Sequence, residues 1–113
     1  MPRHDPRVCL RQMRDHAAEA IELVRGRRRE EIERERVLNL ALVRLVEVVG
    51  ESGRRVPKED RRRYPGVPWA ELIGMRDRLI HGYDQVDLAV LWGVLTEDLP
   101  ALVVELDRIL AES

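Results

Sequence analysis

Leu38-Asn39-Leu40-Ala41-Leu42-Val43-Arg44-Leu45-Val46-Glu47-Val48-Val49 decides the fold class of this chain. Leu38, Ala41, Leu42, Leu45 and Val49 recur at three- and four-residue spacing, the period of one helix face. Leu40, Val43 and Val46 spill onto a neighbouring face. A helix apolar over so much of its circumference needs cover on more than one side. In a small bundle, that points to a partner subunit as well as the chain's own core.

The same period extends in both directions. Upstream, Gly26 and Arg27-Arg28-Arg29 mark a connection, and Glu30, Glu31 and Glu33 favour the start of this second helix. Before them, Leu10, Met13, Ala17, Ala20, Ile21 and Val24 form the stripe of a first helix. It is expected from Asp5 or Pro6 to Val24 or Arg25, with Asp5 as N-cap and Pro6 at the first helical position. Cys9 reads as a small packing residue, and His4 and His16 as solvated or helix-packing residues.

Downstream, Ser52-Gly53 to Tyr64 reads as a connector in which Pro57 opens a short helical turn. Pro68-Trp69 starts another helix, anchored by Leu72, Ile73, Met75, Leu79 and Ile80, which leaves Arg76 free to face a cleft. Asp87 can cap a last helix whose apolar residues, from Val90 and Leu91 to Ile109 and Leu110, keep the helical period. Pro100 should kink or interrupt it, because proline removes a backbone donor and clashes with the preceding turn. No strand-like alternation stands out. The expected fold is all-α, an up-and-down bundle of four main helices with a short extra helical turn before the motif helix.

Composition narrows the function classes. The 113 residues suit one domain, residues 1–113, able to bury about two thirds of its unfolded surface. Charged residues make up 36% and aromatics 4% with no Phe, so the core must be aliphatic. One cysteine excludes an internal disulfide and leaves no metal-ligand spacing. No run of about 18 apolar residues exists, and Met1 to Asp5 lack an apolar signal region, so the chain is expected to be soluble and cytoplasmic, with no membrane partner. Phosphate-binding glycine loops, zinc spacings and a Gly-x-Ser-x-Gly elbow are missing, and no cofactor is expected.

The chemistry concentrates in Met75-Arg76-Asp77-Arg78-Leu79-Ile80-His81-Gly82-Tyr83. Arg76 and Tyr83 would share a face of a continuous helix, two turns apart. Gly82 can take backbone angles other residues resist, so the helix should end there and let the chain fold back. An imidazole that titrates near neutral pH, a fixed guanidinium and a phenol brought to one point suit a phosphodiester. RNA supplies its own 2′-hydroxyl nucleophile, so such a site needs no metal and favours RNA over DNA. The bland reading has Arg76 paired with Asp77 or Glu71, His81 capping a helix and Tyr83 packing. Arg54, Arg55, Lys58, Arg61, Arg62 and Arg63, with Arg78 in the motif, read either as a phosphate-contacting patch or as a solvated connector.

Arg-x4-His-x-Tyr at Arg76, His81 and Tyr83 resembles the motif of the HepT-like branch of the HEPN ribonuclease toxins. Val49-Gly50-Glu51-Ser52, Tyr64-Pro65-Gly66-Val67-Pro68-Trp69, Gly74-Met75-Arg76, Val86-Asp87, Trp92 and Asp98-Leu99-Pro100 extend the resemblance over roughly residues 5 to 110. The resemblance implies a toxin of a type II-like toxin–antitoxin pair, a metal-independent endoribonuclease. Arg76, His81 and Tyr83 are then catalytic, with His81 as general acid or base and Arg76 stabilising the pentacoordinate phosphate. It also implies a homodimer with a composite cleft, within a possible larger hetero-oligomer. The implied partner is a nucleotidyltransferase antitoxin of the MNT type that transfers AMP to Tyr83. Asp77 stands where many members have Asn and reads as a tolerated variation. The alternative from another class is a non-catalytic HEPN module that binds nucleotide or RNA as partner subunit of the transferase.

Overall fold

The computed structural model describes residues 5–81 and 85–112, with His81 by its backbone alone. Helix α1 (Pro6–Val24) begins as its sequence dictates. The Asp5 carboxylate accepts a hydrogen bond from the Arg7 N–H at 2.9 Å, and Pro6 sits where its missing donor is not needed. Leu10, Met13, Ala17, Ala20 and Val24 are buried, with Cys9 among them as a packing residue. His16 turns its Nδ1 to the Gln12 carbonyl of its own helix, 2.7 Å away. Gly26 then reverses the chain at φ 76°, a left-handed conformation that glycine adopts without steric penalty.

The second expected helix is divided in two, α2 (Arg29–Arg34) and α3 (Arg36–Arg55). The break is at Glu35, which is extended at φ −93° and ψ 93°. Arg27 braces it, donating to the Leu23 carbonyl at 3.1 Å and to the Glu35 carboxylate at 2.9 Å. Helix α3 also runs further than expected, through Ser52-Gly53, which are buried helix rather than connector. Gly53 lies beside the Met13 and Trp69 side chains, and burial there outweighs the poor helix propensity of glycine.

The faces of α3 are assigned by its neighbours. It packs on α1 along one side and on α5 (Trp69–Leu79) along the other. Val43 and Val46, which the periodicity placed on a neighbouring face in need of cover, are therefore in the core with Leu38, Leu42 and Val49. Leu40 does stay out, 52% exposed, next to Val37 at 82%.

Between α3 and α5 lies α4 (Lys58–Arg61), the expected turn after Pro57. Arg61 reaches back to the end of α3, donating to the Arg54 and Val56 carbonyls, both at 2.9 Å. These are helix-end acceptors without a partner inside the helix, so Arg61 acts as a C-terminal clamp. The Trp69 indole N–H donates to the Arg61 and Tyr64 carbonyls, both at 3.1 Å, and fixes the start of α5.

After Leu79 the chain becomes extended. Strand β1 (Ile80–His81) pairs antiparallel with β2 (Gln85–Val86), Ile80 opposite Val86 and His81 opposite Gln85. Two residues per strand leave no alternation to read in a sequence. Asp87 caps α6 (Leu88–Gly93) as expected, its carboxylate accepting from the Val90 N–H at 3.1 Å. A π-helical segment (Val94–Asp98) then leads into α7 (Leu99–Ala111). The interruption expected from Pro100 is this wide turn, in which the Leu99 N–H bonds the Val94 carbonyl. A wider turn there suits a proline, which cannot donate the next helical hydrogen bond.

Helix α7 packs on α1, so the order around the bundle is α7, α1, α3, α5, with α7 and α5 facing each other across a shared depression. The fold is all-α, as expected, carried among the described residues by several helical stretches rather than four uninterrupted ones. No helix among these residues is long and apolar enough to cross a membrane.

One glycine controls how closely α3 meets α5. A Cβ on Gly50 would lie 3.0 Å from the Leu72 carbonyl oxygen. Gly50→Val is expected to force the two helices apart and to destabilise the fold by roughly 1–3 kcal/mol, read from a urea titration.

Candidate functional site

The separation imposed at Gly50 and Leu72 is felt one turn along each helix, at Glu47 on α3 and Arg76 on α5. The Arg76 Nε donates to Glu47 Oε2 at 2.9 Å. Arg76 is thus not free, and its partner is neither Asp77 nor Glu71. The two ends of the pair differ in environment: the Arg76 side chain is 66% exposed and that of Glu47 only 21%. The Glu47 hydrogen bond, its charge, and the nearby carboxylates of Asp77 and Glu51 raise the guanidinium further above its usual range. Arg76 is a permanent cation set among carboxylates, with most of its side chain exposed.

The end of α5 corrects the helical placement of the motif. The Ile80 N–H bonds the Arg76 carbonyl, and Ile80 itself is extended, at φ −108° and ψ 119°. Arg76 and Tyr83 therefore do not share a face of one helix. The helix ends three residues before Gly82, and the chain does fold back, through the β1–β2 pairing and an Asp87 N–H bond to the Leu79 carbonyl at 2.8 Å. Backbone pairing places His81 opposite Gln85, in the strand that follows the last turn of α5. The His81 side chain and Tyr83 lie outside the described residues.

The basic stretch divides by role. Arg61 is committed to the carbonyls at the end of α3, and Arg63 is 3.8 Å from the buried Asp60 carboxylate. Arg54, Arg55, Lys58 and Arg62 are exposed. Arg54 is seven residues beyond Glu47 on α3, roughly 10 Å along the helix axis. Arg78 bonds the Glu71 carbonyl at 3.2 Å and lies across α5 from Arg76.

The chain matches the family described as Ribonuclease HepT-like over residues 13–109, a span that contains all of these groups. It belongs to the HepT-like ribonuclease family. It is 32% identical over 112 residues to a "Putative RNase" of Methanocaldococcus jannaschii, covering 99% of this chain and 93% of that protein. It is 36% identical over 105 residues to a "Putative RNase" of Caldanaerobacter subterraneus subsp. tengcongensis, covering 93% and 94%. Over 89 residues it is 39% identical to a "Probable ribonuclease HepT" of Thermococcus cleftensis, covering 75% and 81%. No solved structure matches the chain.

Within this HepT-like chain, Glu47 is the partner of Arg76 that the sequence reading missed. It stands in the densest apolar run, where a carboxylate looks like the polar edge of a core helix. One signal was available. Glu47 follows Leu40 by seven residues, so it lies in line with Val37, Leu40, Arg44 and Glu51 at the border of the buried face rather than within it.

The other side of α5 carries a different feature. A depression of about 350 Å³ opens between α5 and α7, floored by Leu72, Met75, Leu99 and Leu102 and rimmed by Glu71, Arg78, Glu97, Asp98 and Glu105. Arg76 does not line it, so it is not the continuation of the Arg76 site. No group of three or more His, Cys, Asp or Glu among the described residues could hold a metal ion.

Proposed function

We propose that this chain is a metal-independent endoribonuclease acting through Arg76, His81 and Tyr83. The observation that carries this reading is membership of the HepT-like ribonuclease family over a span containing Arg-x4-His-x-Tyr. The exposed Arg76 cation, paired with Glu47 two helical turns before exposed Arg54 on α3, supports it, because a nucleic acid meets its protein mainly through phosphates.

In the proposed reaction the 2′-hydroxyl of RNA loses its proton to a base as its oxygen bonds to the adjacent phosphorus. The phosphorus–O5′ bond breaks and the leaving oxygen takes up a proton. The products are a 2′,3′-cyclic phosphate and a 5′-hydroxyl, with no net gain or loss of water. His81 serves as acid or base, since an imidazole is available in both forms near neutral pH. Arg76 holds the extra negative charge on the pentacoordinate phosphorus, and Tyr83 orients the phosphate or stacks on a base.

The proposal extends to regulation. The protein is read as the toxin of a toxin–antitoxin pair, neutralised by an MNT-type nucleotidyltransferase. There the Tyr83 hydroxyl oxygen attacks the α-phosphorus of ATP, pyrophosphate leaves, and the phenolic proton is released. An AMP group beside Arg76 would occupy the phosphate position and exclude RNA. A homodimer forming a composite cleft is part of the reading. Val37 and Leu40 support it, because they lie exposed on the same stripe of α3 as Glu47 and are available to a second copy. A monomer in sedimentation equilibrium at micromolar concentration would remove this part.

The decisive test is RNA integrity after induction of the protein, beside a purified assay with metal chelated. Cleavage is expected from the wild type, with and without chelator, and not from a folded His81→Ala variant. Intact RNA from folded, unmodified wild type would overturn the ribonuclease reading. A second reading, a non-catalytic module that binds RNA or nucleotide for the transferase, is favoured by one observation: Arg76 is already paired with Glu47. It predicts binding that weakens in Arg76→Ala without cleavage by any variant.

A further inference from the structure

We infer that Glu47 is a positioning residue for Arg76, holding the guanidinium so that its two Nη groups present a fixed fork to the scissile phosphate. The inference rests on the ribonuclease reading above for its function, but its geometry stands without it.

The bond uses the guanidinium's Nε, the donor closest to the side-chain stem. A carboxylate there stops rotation about the last bonds of a long, flexible side chain while leaving the Nη edge open. Arginine's planar donors match phosphate two at a time only if the plane is set beforehand. Glu47 is itself fixed. It is largely covered, it sits on the helix buried between α1 and α5, and Gly50 holds the α3–α5 separation one turn away. Asp77 and Glu51 lend Arg76 only their charge, whereas the strongest effect on Arg76 is the Glu47 hydrogen bond.

Stability gives a poor reason for the pair. Its cation is two thirds exposed, and ion pairs of that kind add little to folding. A carboxylate beside a phosphate-binding cation also carries a cost, because it weakens attraction for the ground-state phosphate. The compensating gain is orientation. Misplacement of a reacting or stabilising group by about 1 Å can cost on the order of 100-fold in rate.

This gives the role a signature that a merely structural residue would not show. Glu47→Ala is expected to lower kcat by roughly 10- to 100-fold while KM for RNA stays the same or falls. Glu47→Gln keeps an acceptor for the Nε–H without the charge, and is expected to retain kcat within about threefold of wild type. Glu47→Ala added to Arg76→Ala should cost nothing further, since there is no guanidinium left to orient. A raised KM with unchanged kcat, a Gln variant as slow as the Ala variant, or additive losses would each overturn the proposal.

A spectroscopic arm does not depend on activity. In a ¹H–¹⁵N spectrum of the arginine Nε–H groups, one signal should be protected from solvent exchange and vanish in both Arg76→Lys and Glu47→Ala. If wild type fails to cleave RNA yet shows this signal, the ribonuclease reading falls and the positioning of Arg76 by Glu47 stands. If the signal is absent from folded wild type, the positioning falls whatever the activity.

Discussion

Arg76→Ala is expected to reduce RNA cleavage by about 100- to 1,000-fold, the usual loss when a preorganised donor to transition-state charge is removed. Most of the effect should appear in kcat, because Glu47 already offsets the attraction of Arg76 for a ground-state phosphate. Arg76→Lys should recover little of the rate. An ammonium keeps the charge but cannot donate to Glu47 through one edge and to phosphate through a planar fork at the same time. Folding should survive both changes, since the guanidinium is exposed and contributes no packing to the core. The check is single-turnover cleavage of a labelled RNA, with circular dichroism at matched concentrations. Full activity in a folded Arg76→Ala variant would remove Arg76 from the mechanism and leave His81 and Tyr83 to be explained without a fixed cation.

The second large effect is on stability. Leu42 is fully buried on the helix that contacts both α1 and α5. Leu42→Ala removes three carbons where neighbouring elements close in from two sides and cannot readily collapse. A loss of about 2–5 kcal/mol is expected. Against a typical total of about 5–15 kcal/mol for such a domain, this is enough to populate the unfolded state at physiological temperature. Leu42→Met conserves volume and should cost under about 1.5 kcal/mol. Leu40→Ala, one helix face away and half-exposed, should be close to neutral for folding of the isolated chain. Urea midpoints for the three variants test the order. A Leu40 loss comparable to that of Leu42 would mean that α3 has a further covered face, such as an interface between copies.

These contrasts show what each kind of information resolved. Local properties of the chain determined the helices and their caps. The Asp5 and Asp87 caps, the Pro6, Pro57 and Pro68 starts and the Pro100 interruption all follow from what one residue does to its neighbours' backbone. The aliphatic stripes of α1, α5 and α7 could be read for the same reason, because the apolar residues of each recur at helical spacing along the chain. The motif stretch, with the basic residues before it, was also legible, since reactive side-chain types stand out from an aliphatic background.

The tertiary structure decided everything that depends on which elements meet. Helix α3 is touched on two sides, so its period could not say that Val43 and Val46 go inward while Leu40 stays out. Ser52 and Gly53 look like a linker by composition and are instead buried near the end of α3, Gly53 beside Met13 and Trp69. Arg61 looked like one more phosphate contact and serves instead as a clamp on carbonyls that become its neighbours only after folding. The site shows this most directly. Arg76 was legible from its motif, whereas Glu47 lies 29 positions away and meets it only because Gly50 brings α3 against α5. Spacing along a chain reports contacts within one helix; a carboxylate delivered from another helix leaves no such period, and only packing can select it.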